Sequence, residues 1–340
     1  MFAAILAVGT AGLGCRGLLG IDDEGVLLSS GDDAGRASEA GDRPDSSLGV
    51  DASLVDGGED AGLTAVDRRF AQWPLPPPAP LLSQYDLTLD TVTDRTTSLV
   101  WQRNEPSPVS ASYPAAMAFC DGLTLAGQTD WRLPTRMELL TILDYGRAEA
   151  GFLNNTVFPD GRSAGGTIAW TASLSLLHAR LDERISLDLF TSAVATTLVA
   201  QSSLLVRCLR GGPATSPVNR YLVASGTARD VRTGLVWQVV PSATPASLAV
   251  AQAACAELKL GAFASGWRLP TIRELVSLID ESREQAPLLP PIFSAGPAAK
   301  TWSSTERHNP RTANFVVDFA TADITPEEFA TPALAARCVH

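Results

Sequence analysis

The chain has 340 residues, 45% hydrophobic and 19% charged, enough for two domains of ~120–130 residues plus a further segment. Its net charge of −11 lacks the basic footprint that polyphosphate binding needs, which excludes nucleic acid as a partner. Three His and five Cys leave little material for a metal site or a nucleophilic triad. No P-loop occurs, and no enzyme activity and no cofactor are expected.

The acidity is uneven: residues 1–83 hold 13 Asp/Glu against 5 Arg, and residues 84–340 hold 24 acidic against 21 basic residues. Phe2–Leu13 is apolar or small, too short to span a bilayer but of the length of a signal-peptide core. Cys15 follows at once, so residues 1–15 resemble a bacterial lipobox segment. Two features depart from that pattern: no Lys or Arg precedes the apolar run, and Leu13 stands where a small residue is usual. The expectation is export, with a lipid anchor on Cys15 in the envelope, at the outer membrane or cell surface. Residues 16–83 are rich in Gly, Asp, Ala and Ser, then in Pro at 74–80. Such a segment has too little apolar surface to offset its ordering entropy, and is expected to be a disordered stalk ending in a stiff polyproline spacer.

Beyond residue 84 the sequence repeats. YDLTLDTVTDRTTSLVWQ (85–102) aligns with YLVASGTARDVRTGLVWQ (221–238), and DWRLPTRMELLTILD (130–144) with GWRLPTIRELVSLID (266–280), both at an offset of 136. WTAS at 170–173 matches WSST at 302–305, and VRCL at 206–209 matches ARCV at 336–339. Ordered anchors of this kind indicate a tandem duplication, with domains at 84–213 and 218–340. Each copy opens with a strand, a polar turn and a second strand. The turn DVRTG ends in Gly234, which takes positive φ at no steric cost, whereas copy one has Ser98 there. A helix follows, expected from Thr244 and Pro245 to about Leu258 in copy two, with Ser112 and Pro114 in the same parts in copy one. In WRLPT, Thr135 and Thr271 each precede a Glu by three, Glu138 and Glu274, the spacing of a capping box. Leu139, Ile142 and Leu143, like Leu275, Leu278 and Ile279, continue at helical spacing. Strand-like runs fill the second half: TIAWTAS and SLLVRCL in copy one, NFVVDF in copy two. The fold class is α+β with a mainly antiparallel sheet. Each copy holds two Cys, so Cys120 with Cys208 and Cys255 with Cys338 are the natural intradomain pairs, disulfides in an exported protein. Buried free thiols in a cytosolic protein would conflict with the signal-like start.

D-x-x-TGLVWQ at Asp230–Gln238, the helical Cys, WRLPT-x-x-EL at Trp131–Leu139 and Trp267–Leu275, WSS at Trp302–Ser304 and the late Arg-Cys pairs together resemble the C-terminal domain family named after the Legionella collagen-like adhesin. The resemblance covers both copies; copy one departs at Ser98 and at 171–173. It implies two C-type lectin-like domains, each with two helices flanking a twisted sheet and a disulfide from the first helix to the last strand. It also implies adhesion, with polysaccharide or another envelope protein as partner.

Structural roles are expected for Trp101, Trp131, Trp170, Trp237, Trp267 and Trp302, since large aromatics beside caps and in strands are usually core. Arg132 and Arg268 are expected to pair with Glu138 or Glu274. Lectin-type calcium sites use Glu-Pro-Asn or Gln-Pro-Asp with Trp-Asn-Asp, and no such set stands in the required place, so calcium is not expected. His178, His308 and His340 have no partner at zinc-ligand spacing. A ligand site, if present, belongs on the variable loop before the last strands: Arg307, His308, Asn309 and Arg311 in copy two, with Asn154, Asn155, Asp160 and Arg162 comparable in copy one.

Overall fold

The computed structural model describes residue 71 and residues 75–340, apart from 105–109, 148–150, 160–166, 175–181, 200–201, 213–219, 243–245, 294–295, 297–299, 309–310 and 330–332. Cys15, the signal-like segment, Thr244, Pro245, His178, Asn309, Asp160 and Arg162 lie outside the described residues.

Copy one begins with three strands rather than the expected two: β1 (Tyr85–Leu87), β2 (Thr91–Asp94) and β3 (Val100–Gln102). The additional turn lies in TLD, where the Thr88 hydroxyl accepts from the Asp90 and Thr91 N–H groups, a side-chain-built turn with no Gly to announce it. Then come β4 (Ser110–Ala111), α1 (Tyr113–Asp121) and α2 (Arg136–Leu140). Five strands close the copy: β5 (Ile168–Leu174), β6 (Glu183–Asp188), β7 (Val194–Leu198), β8 (Leu204–Leu205) and β9 (Leu209–Arg210). Copy two repeats the order with β10 (Tyr221–Ala224), β11 (Thr227–Asp230), β12 (Val236–Gln238), α3 (Leu248–Glu257) and α4 (Ile272–Val276). It ends with β13 (Lys300–Glu306), β14 (Ala313–Asp318) and β15 (Asp323–Glu328). The class is α+β with antiparallel sheets ordered β1-β2-β3-β9, β10-β11-β12, β13-β14-β15 and β4-β8-β5-β6-β7, in the last of which β5 and β8 pair in parallel.

Three further sequence expectations are corrected. Helix α3 starts at Leu248 with Ser247 as its N-cap, not at Thr244 and Pro245. Ala246 is held extended by paired hydrogen bonds with Leu334, so helical backbone cannot begin before it. SLLVRCL is two short strands in different sheets, because Val206–Cys208 turn to meet Gln102. The Pro-rich stretch is not a free spacer at its end: the Pro78 carbonyl accepts from Tyr145 N–H, and Ala71 is buried with its carbonyl accepting from Arg220.

Helices α2 and α4 span five residues each, yet the buried pattern continues to Leu143 and Ile279. Thr141 and Ser277 hydroxyls donate to the Glu138 and Glu274 carbonyls at 2.6 Å, and the chain goes on in i→i−3 bonds. The DVRTG turn keeps its form in both copies. Gly234 takes φ +76° and Ser98 takes φ +59°, each donating its N–H to the Asp four residues before. Ser98 thus occupies the left-handed region, where a Cβ is strained.

Each copy has a private core around its disulfide. In copy one it gathers Ala116, Trp131, Leu133, Trp170 and Val206 about Cys120–Cys208. In copy two it gathers Leu248, Ala251, Trp267, Trp302 and Val316 about Cys255–Cys338. The bridges join residues 88 and 83 apart, worth roughly 3–5 kcal/mol in the chain-entropy account. A third and larger core is shared. Leu139, Leu140, Ile142 and Leu143 pack in one cluster with Leu275, Val276, Leu278 and Ile279. Tyr145 and Phe152 of copy one meet Phe315 of copy two edge-on, with centroids 5.0 and 5.8 Å apart. The two copies therefore meet at a closed seam.

Candidate functional site

The recurring motif residues build the scaffold. Arg132 grips Glu138 through Nη1–Oε2 (2.8 Å) and Nη2–Oε1 (2.6 Å); Arg268 does the same to Glu274 at 2.8 and 2.7 Å. Each Glu also accepts from the cap Thr backbone, Thr135 N at 2.9 Å and Thr271 N at 2.7 Å, while the Thr hydroxyls accept from the Glu N–H groups. Both capping boxes are closed. Burial alone would push the Glu274 carboxyl up, but the Arg268 and Thr271 hydrogen bonds outweigh it and hold it below the usual carboxylate range. Pairing is within each copy, Arg132 to Glu138 and Arg268 to Glu274.

The other motif residues serve the same purpose. Trp170 and Trp302 are fully buried and donate their indole N–H to the Ala111 and Ala246 carbonyls, both at 2.8 Å. Trp101 and Trp237 are fully buried in β3 and β12, and Trp131 and Trp267 nearly so. Ser173 and Thr305 accept from the first N–H of α2 and of α4, at 3.0 and 2.9 Å. The Arg-Cys pair clamps the VWQ strand. Arg207 donates to the Gln102 and Arg103 carbonyls, and Arg337 to those of Gln238 and Val239; the Gln102 and Gln238 side chains accept from Cys208 and Cys338 N–H. Arg337 lies over the Phe293 ring at 5.2 Å, and burial pulls its pKa down to about 10.

The loop candidates stand apart from this framework. Arg307 and Arg311 are exposed at the β13–β14 connection, His308 is half-buried, and Arg307 N–H closes the hairpin on the Ala313 carbonyl at 2.8 Å. His308 stands near enough to Asp144 of copy one for their charges to interact. In copy one Asn154 caps a local turn through its side chain, and Asn155 is half-buried.

What the sequence reasoning missed is the polar pair of positions at the seam. Arg136, the first residue of α2, is fully buried and ion-paired through Nε with Glu281 of copy two; its Nη1 donates to the Ala322 carbonyl at 3.0 Å. Arg273, the second residue of α4, reaches back to the Leu143 carbonyl of copy one. The available signal was an Arg within the short capped helical turn that follows WRLPT in each copy. Asp144, at the same seam, has its carboxyl pushed up by burial. Among the described residues no group of three or more His, Cys, Asp or Glu is placed to hold a metal ion, and no helix is long and apolar enough to cross a membrane.

No curated protein matches the sequence. The family model for the Lcl C-terminal domain matches twice, at residues 90–210 and 226–340, each match containing one disulfide, one WRLPT cap and one VWQ–RC clamp. The chain belongs to the Lcl C-terminal domain family, as a tandem pair.

Proposed function

We propose that this protein is a non-catalytic binding protein of the bacterial surface, presenting two C-type lectin-like domains on an acidic stalk anchored through Cys15 and binding polysaccharide without calcium. Membership of the Lcl C-terminal domain family supports a surface or adhesion role. A disulfide from the first helix of each copy to its last strand region, with helices against antiparallel sheets, supports the lectin-like assignment. The observation that carries the binding reading is the division of labour among the arginines. Those in the motifs are consumed by Glu, carbonyl and ring contacts, whereas Arg307 and Arg311 stand exposed on a hairpin connection of a rigid frame.

The test is a glycan array probed with the oxidised full-length protein, with and without EDTA. Binding that survives EDTA and falls on substituting Arg307→Ala with Arg311→Ala supports the proposal. Binding lost in EDTA overturns calcium independence, and an empty array overturns the polysaccharide reading.

A second reading is a structural envelope protein that docks a protein partner. Leu81, Leu82, Leu87 and Leu89 favour it, being 68%, 49%, 39% and 79% exposed around the edge strand β1. Crosslinking that recovers one stoichiometric protein, lost when these leucines become Ser, would select it.

A further inference from the structure

We propose that the free edge of β7 is an interface between two copies of this chain, which pair β7 against β7 antiparallel across a two-fold axis at Thr196 and join two five-stranded sheets into one. This does not depend on the polysaccharide reading.

The two copies reach their last strand through the same hairpin turn. In copy one Asp188 ends β6; its side chain accepts from Phe190 N–H, its carbonyl accepts from Ser192 N–H, and Ser192 takes φ +60°. In copy two Asp318 ends β14; its side chain accepts from Ala320 N–H, its carbonyl accepts from Ala322 N–H, and Ala322 takes φ +65°. β7 and β15 therefore correspond residue by residue: Val194 to Ile324, Thr196 to Pro326 and Leu198 to Glu328. Each strand lies at the end of its sheet.

The ladder shows which backbone groups are free. Asp188 N–H donates to the Ala193 carbonyl, and Val199 N–H to the Asp182 carbonyl. The alternation of an antiparallel pair then turns the N–H and C=O groups of Ala193, Ala195, Thr197 and Val199 toward β6. Those of Val194, Thr196 and Leu198 point away from the sheet, and no described strand pairs with them. In copy two Phe329 N–H donates to the Thr312 carbonyl, which gives β15 an outward row of Ile324, Pro326 and Glu328. The two rows permit different things. Pro326 has no N–H and stands in the middle of its row, and Asp323, Glu327 and Glu328 load the strand with carboxylates. Pro and charge are the devices that blunt a sheet edge. β7 reads VATTL, with no Pro and no charge.

The occupant that fits this edge is a second β7. Antiparallel pairing about Thr196 sets Val194 opposite Leu198 of the partner subunit and Thr196 opposite Thr196 of the partner subunit. Each outward residue then exchanges two hydrogen bonds with the residue it faces, and no group of the row is left over. Two uncharged strands bring no like charges together, whereas two copies of β15 would gather their carboxylates on neighbouring strands and lack the central donor. The contact is isologous, so it closes at two chains and does not propagate. A five-residue strand is about 17 Å long. One such edge falls short of the ~800 Å² per partner of a standard interface, so the association is weak and reversible.

The test is sedimentation velocity on the oxidised full-length protein at concentrations up to about 1 mM, the range in which a weak contact is populated. A monomer–dimer equilibrium is expected. Thr196→Pro copies the block of β15 and should weaken association by about tenfold or more. Because the Thr196 N–H lies outside the β6 ladder, near-ultraviolet circular dichroism should stay native. Should that variant fail to fold, Leu198→Glu carries the same expectation. Facing Thr196 residues would have Cα atoms about 5.5 Å apart, within disulfide reach. Thr196→Cys, with Cys15 replaced by Ser, should therefore form an interchain disulfide at that position, and Val194→Cys in the same background should not. A monomer at every concentration, a dimer unchanged in either folded variant, or a Thr196→Cys chain that crosslinks no better than Val194→Cys overturns the proposal.

Discussion

The two copies build the WRLPT turn with the same bonds to within a few tenths of an ångström, yet they meet the seam with different chemistry. Copy one sends Arg136 to a carboxylate, and copy two sends Arg273 to a backbone carbonyl beside a tyrosine. Within each copy the Arg–Glu–Thr cap is local, so a change in it weakens its own turn. Across the seam a residue answers to a partner in the other copy, and the two halves have diverged there. The duplication thus preserved what each domain needs to fold and released what joins them.

The sharpest way to break this comparison is Glu281→Ala. It leaves Arg136 buried without its carboxylate and should cost about 3–5 kcal/mol, measured by urea denaturation. Arg136→Met combined with Glu281→Leu should lose less than the single change, because an uncompensated charge costs more than the pair contributes. If the single change is silent, the seam pair carries no structural weight. Next in size, replacing Cys255 and Cys338 by Ala should cost about 2–5 kcal/mol, with a similar loss for Cys120 and Cys208. Equal losses would show the private cores to be equivalent where the seam is not.

A smaller effect comes from the caps. Thr135→Ala and Thr271→Ala should each cost about 1 kcal/mol. The pH dependence sharpens this for copy two. The Glu274 pKa is lowered from 4.5 in the fold, so its contribution is fully present above that value and is lost as pH falls through the folded one. Glu274→Gln should therefore flatten the acid limb of the stability curve. Asp144 has the opposite sign: its pKa is raised from 3.8, so it opposes folding as pH climbs through and above that value. Asp144→Asn should lift stability at neutral pH relative to pH 3. The smallest change is a gain. Ser98→Gly removes a left-handed Cβ and should add about 0.5 kcal/mol, whereas Gly234→Ser should cost a similar amount. Both are measured by thermal melting.

Much of the framework was legible because its signals are short-range. Thr135 and Glu138 are three residues apart, so the cap is visible in any window that contains them. The Cys pairs followed from two per copy. The additional hairpin at Thr88–Asp90 was not legible, since its turn is built by a threonine hydroxyl rather than by Gly or Pro. Nor was the start of α3, which tertiary pairing of Ala246 with Leu334 delays by several residues. Of the loop candidates, Arg307 and Arg311 could be placed only as exposed, because exposure depends on which neighbours fold over them.

The sequence by itself determined the duplication, the class of fold, the two disulfides and the capping boxes, all of which follow from periodicity, spacing and composition. Only the tertiary structure decided that the copies share one core, that the end of the Pro-rich segment straps the seam, and that Arg136 meets a carboxylate across the seam where Arg273 meets a backbone carbonyl. The physical reason is distance along the chain. Arg136 and Glu281 are 145 residues apart, and no local pattern encodes which buried charge will face which partner once two similar surfaces close on one another.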